Sequence, residues 1–355
     1  MMKFEAITIK DIAKELGIST STVSRALRDS YEISSETKRL VLECAQRLQY
    51  RPNPIALSLK EKRSRSIGVI VAEIANSFFS QAINGIESIA NSKGYNVIIS
   101  QTQESLAKEI QHLDFLASRS VDGLIISVSS ETESMEHLKR IHARGLPIVF
   151  FDRIKEEIDT HKVTSDNYKA AYNATTHLIT EGYEKIACLV NASHLSITRE
   201  RIAGYKKALT DNGINVDDEI IKVCKHGGLV FEETEKAVED LMELTLRPDA
   251  IVGLTDKLTT GCLKILQAKK IKVPDEMALV GFTNSALTEL LNPSLTVIRQ
   301  PAFKMGEIAT SLLLQLIESK RPIKEFSTEV LETELIVRDS STRKVDLNTL
   351  KTVSL

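Results

Sequence analysis

The chain has 355 residues, 42% apolar and 26% charged, with a net charge of −2, and is long enough for more than one compact core. Cys44, Cys188, Cys224 and Cys262 are scattered with no C-x-x-C pair, which suggests neither a disulfide frame nor a zinc site and suits a reducing compartment. Residues 1–10 hold no long apolar core, and no stretch has the uncharged length of a membrane span, so a cytoplasmic protein is expected.

The charge is uneven along the chain. Residues 1–65 hold 13 Lys and Arg against 8 Asp and Glu, and the remainder holds 33 against 40. A basic head on an acidic body suits a polyanionic partner for the head. In the head, Ile9, Ile12, Ala13 and Leu16 share one face of a short helix, which Gly17 ends. Ser19 suits the N-cap of a second helix from 20 to about 28, with Val23, Ala26 and Leu27 inward. A third helix starts at Ser34 or Ser35 and directs Leu40, Val41, Cys44 and Leu48 inward. This spacing fits a helix-turn-helix, whose second helix enters the major groove. Its outward residues, Thr20, Ser21, Ser24 and Arg25, are candidates for base edges, and Arg25 can give guanine two hydrogen bonds. Hydroxyls at Ser19, Thr22, Ser34 and Ser35 suit phosphate oxygens. A plain three-helix bundle with a solvated polar face has the same periodicity.

After the bundle, Asn53 is a good N-cap and Pro54 suits a first helical position. A helix of two turns or fewer fits before the basic linker 60–65. Alone it is too short to be stable; a twin helix or a DNA groove would stabilise it. Asn53 and Leu59 therefore join the DNA-binding candidates, Leu59 as an apolar wedge between base steps. An ordinary linker with incidental leucines is the alternative.

The segments Thr8-Ile9-Lys10-Asp11-Ile12-Ala13, Ser19-Thr20-Ser21-Thr22-Val23-Ser24-Arg25, Pro54-Ile55-Ala56-Leu57-Ser58-Leu59 and Ser66-Ile67-Gly68-Val69 resemble the lactose-repressor/galactose-repressor (LacI/GalR) family, and the resemblance runs to about Asp339. It implies that Thr20, Ser21 and Arg25 read bases and that Leu59 is the hinge leucine that opens the operator centre. It also implies a homodimer on pseudo-palindromic double-stranded DNA.

In the body, the β-branched runs at 67–71, 97–99, 123–126 and 148–151 alternate with helical stretches at 82–91 and 109–117. A second series of runs, 186–190, 250–254 and 277–282, alternates with helices at 170–181, 202–212 and 234–244. The repeat predicts two similar lobes with parallel sheets covered on both faces. The expected architecture is a small all-α helix-turn-helix head, 1–52, and a hinge helix with linker, 53–65. A two-lobed α/β periplasmic-binding-protein-like domain, 66–340, and a tail, 341–355, follow. Its first lobe takes about 66–165 plus 299–326, and its second about 166–296 plus 327–340. The stretch 302–318 is expected as a helix of the first lobe and 329–337 as a strand of the second. The tail leucines 347, 350 and 355 form no heptad repeat, so a dimer is favoured over a coiled-coil tetramer.

Ligands in such sheets bind beyond the carboxyl ends of the strands. That rule selects residues 76–79, including Phe78 and Phe79, with Asp152, Arg153, Asp166, Asp256, Thr283 and Asn284. The resemblance implies a cleft between lobes, as in periplasmic sugar-binding proteins, and adds Arg201 as an effector contact. The phenylalanines offer apolar faces and the charged residues hydrogen bonds, while core packing and helix capping are the plainer roles. Relatives often carry an aspartate where this chain has Thr283, so an effector other than a simple hexose is open.

The sequence holds no G-x-G-x-x-G after the first strand, no G-x-x-x-x-G-K-[ST], no G-x-S-x-G and no H-E-x-x-H. No catalytic residue, metal site or cofactor is expected. The resemblance implies a repressor of carbohydrate-utilisation genes, switched by a small molecule that rotates one lobe against the other. A corepressor-dependent regulator with a non-sugar effector and a sugar-transport protein are the alternatives.

Overall fold

The computed structural model describes residues 7–50 and 63–343, in two compact units, Met1–Ser64 and Arg65–Leu355. The expected hinge helix, with Asn53 and Leu59, and the tail leucines lie outside the described residues.

In the first unit, α1 (Ile9–Leu16) ends at Gly17, whose φ of 66° suits a residue without Cβ. The Ser19 hydroxyl caps α2 (Thr20–Ala26) by accepting from Thr22 N, and Ser34 caps α3 (Ser35–Arg47) through Thr37 N. The second helix stops at Ala26, two residues short of expectation. Ile12, Ala13, Val23, Ala26, Val41, Cys44 and Ala45 make the core. Leu40, expected inward, is 43% exposed. At 100° per residue, the stripe through Val41, Ala45 and Leu48 leaves Leu40 on the flank.

The second unit holds two six-stranded sheets. The first contains β1 (Ser66–Val71), β2 (Asn96–Gln101), β3 (Gly123–Ile126), β4 (Ile148–Phe151), β5 (Lys162–Ser165) and β11 (Thr328–Leu331). Their order is β11-β5-β4-β3-β1-β2, all parallel, with Ile67 opposite both Val97 and Gly123. The second sheet contains β6 (Ile186–Val190), β7 (Ile221–Val223), β8 (Ala250–Gly253), β9 (Ala278–Phe282), β10 (Thr296–Arg299) and β12 (Glu334–Ile336). Its order is β12-β10-β9-β8-β6-β7, parallel except that β12 runs against β10.

The stretch 329–337 is not one strand of the second lobe. Its first half pairs with β5 and its second half with β10, so the chain crosses between lobes near Glu332. Two short apolar pairs, Val330-Leu331 and Leu335-Ile336, flank the polar run Glu332-Thr333-Glu334 at which the chain changes lobes.

The inner strands are buried on both sides. Ile67, Val69 and Val71 belong to one cluster and Ile70 to the opposite one, which is why these strands read as unbroken apolar runs. The first lobe is covered by α4 (Ser77–Ser92), α5 (Leu106–Ser118), α6 (Glu136–Ala143) and α11 (Ala302–Glu318). The second is covered by α7 (Asn167–Thr180), α8 (Ser196–Asp211), α9 (Phe231–Met242) and α10 (Asp256–Ala268). Two helix pairs meet backbone to backbone at glycine. A Cβ at Gly306 would lie 2.1 Å from the Ala82 carbonyl oxygen, and one at Gly204 2.1 Å from that of Tyr168. No helix of the described residues is long and apolar enough to cross a membrane.

Candidate functional site

The outward face of α2 carries exposed Thr20, Ser21 and Arg25, with Ser24 half-buried beside Val23. Ser19 Oγ lies 2.7 Å from Ser21 Oγ and 2.8 Å from Thr22 Oγ1, so the hydroxyls form one cluster at the helix start. The Arg25 guanidinium sits 3.2 Å from Glu32, both more than half or nearly half exposed. Such a pair is worth little in water and is readily exchanged for a base edge.

The second candidate site lies between the lobes, where the carboxyl ends of both sheets face each other. Phe79, 6% exposed, meets Phe78 edge-on with centroids 5.2 Å apart and Phe151 at 6.1 Å. At the end of β4, Asp152 adopts φ 62°, a conformation unusual for a residue with Cβ. Burial pushes its carboxyl up, opposed by the charges of Arg153 and Arg201.

Arg153 is gripped from the end of β2. Gln103 and Glu104 both have positive φ, which turns the chain so that Glu104 meets the guanidinium at 2.6 and 2.7 Å. Burial raises the Glu104 carboxyl, but Arg153 more than cancels it and the net shift is downward. Arg201 stacks 3.7 Å over the Phe282 ring and donates to Asn167 Oδ1 at 2.8 Å and to the Leu254 carbonyl. Burial lowers its pKa to about 10, against the pull of Asp152.

A cavity of about 60 Å³ separates the lobes. Glu73, Asn76, Phe79 and Arg153 line it from the first lobe; Asn191, His226, Asp256 and Lys257 from the second. The lobes touch across it: Asn76 donates to Asp256 Oδ2 at 2.8 Å, and Lys257 pairs with Glu73 at 2.9 Å. Near the crossing strands, Asn284 and Gln81 exchange bonds of 2.8 and 3.1 Å, and Gln300 reaches Ser165 at 2.8 Å. Three buried polar atoms on the cavity wall have no hydrogen-bond partner: Arg153 Nε, Asn191 Nδ2 and Asp256 Oδ1. Burial raises the Asp256 carboxyl, and the neighbouring Thr283 hydroxyl partly offsets that. The acid missing at 283 thus has a counterpart next door, on α10.

Phe79, Arg153 and Asp256 meet around the cavity, Asp152 and Arg201 do not line it, and Asn284 ties the lobes. Asp166 stands apart. It caps α7 by accepting from Lys169 N at 2.9 Å, and it borders an outer depression with Tyr168, Tyr172 and Lys207. Glu104, Asn191 and His226 escaped the sequence reading. Asn191 follows β6 directly and Glu104 lies three residues beyond β2, so the strand-end rule applied to every strand reaches both. His226 follows the three-residue β7, too short to recognise; Glu233 holds its Nδ1 at 2.8 Å.

Residues 8–53 match the model of the bacterial regulatory proteins of the lacI family, and residues 64–337 that of the periplasmic binding proteins and sugar binding domain of the LacI family. The HTH-type transcriptional repressor PurR of Vibrio atlanticus (strain LGP32) is 32% identical over 332 residues, 93% of this chain and 98% of that protein. The structure of the transcriptional regulator CelR–cellobiose complex is 25% identical with a TM-score of 0.70, covering 94% of this chain and 99% of the other. The lac repressor dimer bound to operator and the anti-inducer ONPF, 23% identical over 96% of this chain and 100% of the other, shares the fold with a TM-score of 0.78. This chain belongs to the LacI family: it is a DNA-binding transcriptional regulator with a helix-turn-helix head and a two-lobed effector-binding domain.

Proposed function

We propose that the chain is a cytoplasmic homodimeric repressor of carbohydrate-utilisation genes, released from or tightened on its operator by a sugar-like effector between the lobes. One observation carries the sensor half: Arg153 Nε, Asn191 Nδ2 and Asp256 Oδ1 are buried on a shared wall without partners. A buried donor or acceptor left unmatched costs about 1–3 kcal/mol, and ligand hydroxyls would recover it. The cellobiose in the CelR structure supports a carbohydrate. A cavity of about 60 Å³ holds about two waters, so such a ligand enters only when the lobes part. Its binding then biases their relative orientation, as a switch requires. We assign the protein no catalytic step. Differential scanning fluorimetry against sugars is the test: a rise in Tm that Asp256→Asn abolishes is expected, and a rise indifferent to Asp256 and Asn191 contradicts this site.

The loop after β9 supports self-association. Leu287, Leu290 and Leu291 are 65%, 77% and 37% exposed within five residues, an apolar patch that a second copy would cover. Leu290→Glu is expected to shift the protein from dimer to monomer in sedimentation velocity. An unchanged dimer would place the interface elsewhere.

On the DNA side, Arg25→Ala is expected to cost about 1–3 kcal/mol of operator affinity and to relax preference at one base pair. Binding-site selection with the variant reads this directly; an equal loss on every sequence would assign Arg25 to phosphate.

A further inference from the structure

We propose that His226, oriented by Glu233, is a specificity-determining acceptor of the inter-lobe cavity, and that with Asp256 it selects an uncharged, hydroxyl-bearing effector over a phosphorylated one. This deepens the cleft reading above and rests on it.

His226 is half-buried and lines the cavity. One carboxylate takes two of its donors: Glu233 Oε2 accepts from the His226 amide at 3.0 Å and Oε1 from Nδ1 at 2.8 Å. A carboxylate has no proton to give, so Nδ1 carries the ring proton and Nε2 of the neutral ring keeps a lone pair. Nε2 has no partner among the described residues, and Glu233, on α9, is not part of the cavity wall. The ring is therefore held from behind and has one acceptor left for a ligand.

The loop that carries His226 is knit to the other unmatched groups of the second lobe. Gly227 has φ 61°, and a Cβ there would lie 2.6 Å from Asn191 Nδ2, so a side chain would displace that amide. Thr255 Oγ1 donates to the Gly227 carbonyl at 2.7 Å, which ties the loop to the residue before Asp256. Asn191 Oδ1 accepts from Ala192 N at 2.6 Å, leaving Nδ2 as a donor. Asn76 occupies Asp256 Oδ2, leaving Oδ1 as an acceptor. This wall thus offers one donor, Asn191 Nδ2, and two acceptors, His226 Nε2 and Asp256 Oδ1.

The charges around the cavity point the same way. Glu73, Glu104 and Asp256 line it against two cations, Arg153 and Lys257. Glu104 holds Arg153 at 2.6 Å and Glu73 holds Lys257 at 2.9 Å, whereas Asp256 joins no ion pair among the described residues. The unmatched charge is negative. A phosphate dianion would approach against that charge and bring no proton for either acceptor. A sugar hydroxyl donates to one acceptor while accepting from Asn191, and two adjacent hydroxyls serve all three groups. A site of this kind discriminates steeply, because the wrong ligand leaves its polar groups unpaired.

Tm titrations of the full chain, at constant ionic strength, compare cellobiose, glucose and ribose with glucose 6-phosphate and ribose 5-phosphate. A neutral sugar should act at a concentration about tenfold or more below that of its phosphate ester. His226→Phe, which keeps a ring but no acceptor, should weaken the sugar response about tenfold, and His226→Gln, whose amide oxygen accepts, should restore most of it. Glu233→Ala should act like His226→Phe, since an untethered ring is no longer aimed. Glu233→Gln, which still accepts from Nδ1, should recover the response. The ligand-free Tm of each variant separates misfolding from lost recognition. A phosphate ester that binds as well as its sugar overturns the assignment and leaves the cleft reading intact. So does a sugar response that Asp256→Asn abolishes but His226→Phe leaves unchanged. No response to any probe, or one indifferent to both residues, overturns both.

Discussion

Glu104→Ala is expected to destabilise the two-lobed unit by about 3–5 kcal/mol, the cost of leaving one member of a buried ion pair unmatched. Both groups are nearly inaccessible, at 7% and 5%, and the carboxylate takes two guanidinium bonds plus the amide of Ser130 at 2.7 Å. Without it Arg153 keeps the Val128 carbonyl at 2.9 Å and a distant Asp152 at 3.9 Å, too little for a buried cation. The double variant Glu104→Gln/Arg153→Met should recover much of the loss, because it removes the stranded charge as well. Calorimetric melting of the three proteins checks this. A single variant that melts with the parent would mean that water reaches the pair.

The second large effect is at the glycine crossing of α4 and α11. Gly306→Ala places a methyl 2.1 Å from the Ala82 carbonyl, and the oxygen belongs to a helix backbone that cannot step aside. The helices must separate and the core beneath loses contact, at about 1–3 kcal/mol. Gly261→Ala is the control. It lies within α10, and its Cβ would meet nothing nearer than Thr234 at 3.5 Å. There alanine should stabilise by about 0.4–1 kcal/mol, through a less flexible unfolded chain. Urea midpoints measured by circular dichroism separate the two; equal midpoints would mean that the crossing tolerates a Cβ.

How far the sequence carried the fold depended on the kind of signal. The double series of apolar runs marked the central strands, because parallel strands buried on both faces have no polar positions. The same logic failed at the edges. Strands 162–165 and 221–223 leave no signal, since four and three residues carry too few positions for a period to be seen. The sequence signal starts late, at 82 rather than Ser77 and at 202 rather than Ser196; at Ser196 the polar run Thr198-Arg199-Glu200 masks the apolar stripe. In the candidate site, strand-end residues such as Asp152 and Asp256 were legible from topology alone. The Glu104–Arg153 clamp was not. It joins residues 49 apart through two consecutive positive-φ positions, and no local pattern announces that turn. Asp166 takes the plainer of the two roles open to a strand-end acid, its oxygen capping its own helix.

The most direct test of the account is a fluorescence-anisotropy titration of the purified protein on a selected pseudo-palindromic operator, with and without a ligand that raises its Tm. Ligand is expected to change operator affinity tenfold or more, about 1.4 kcal/mol of coupling. Asp256→Asn is expected to remove the change while preserving ligand-free binding. Operator affinity unmoved by a ligand that occupies the cleft would contradict it.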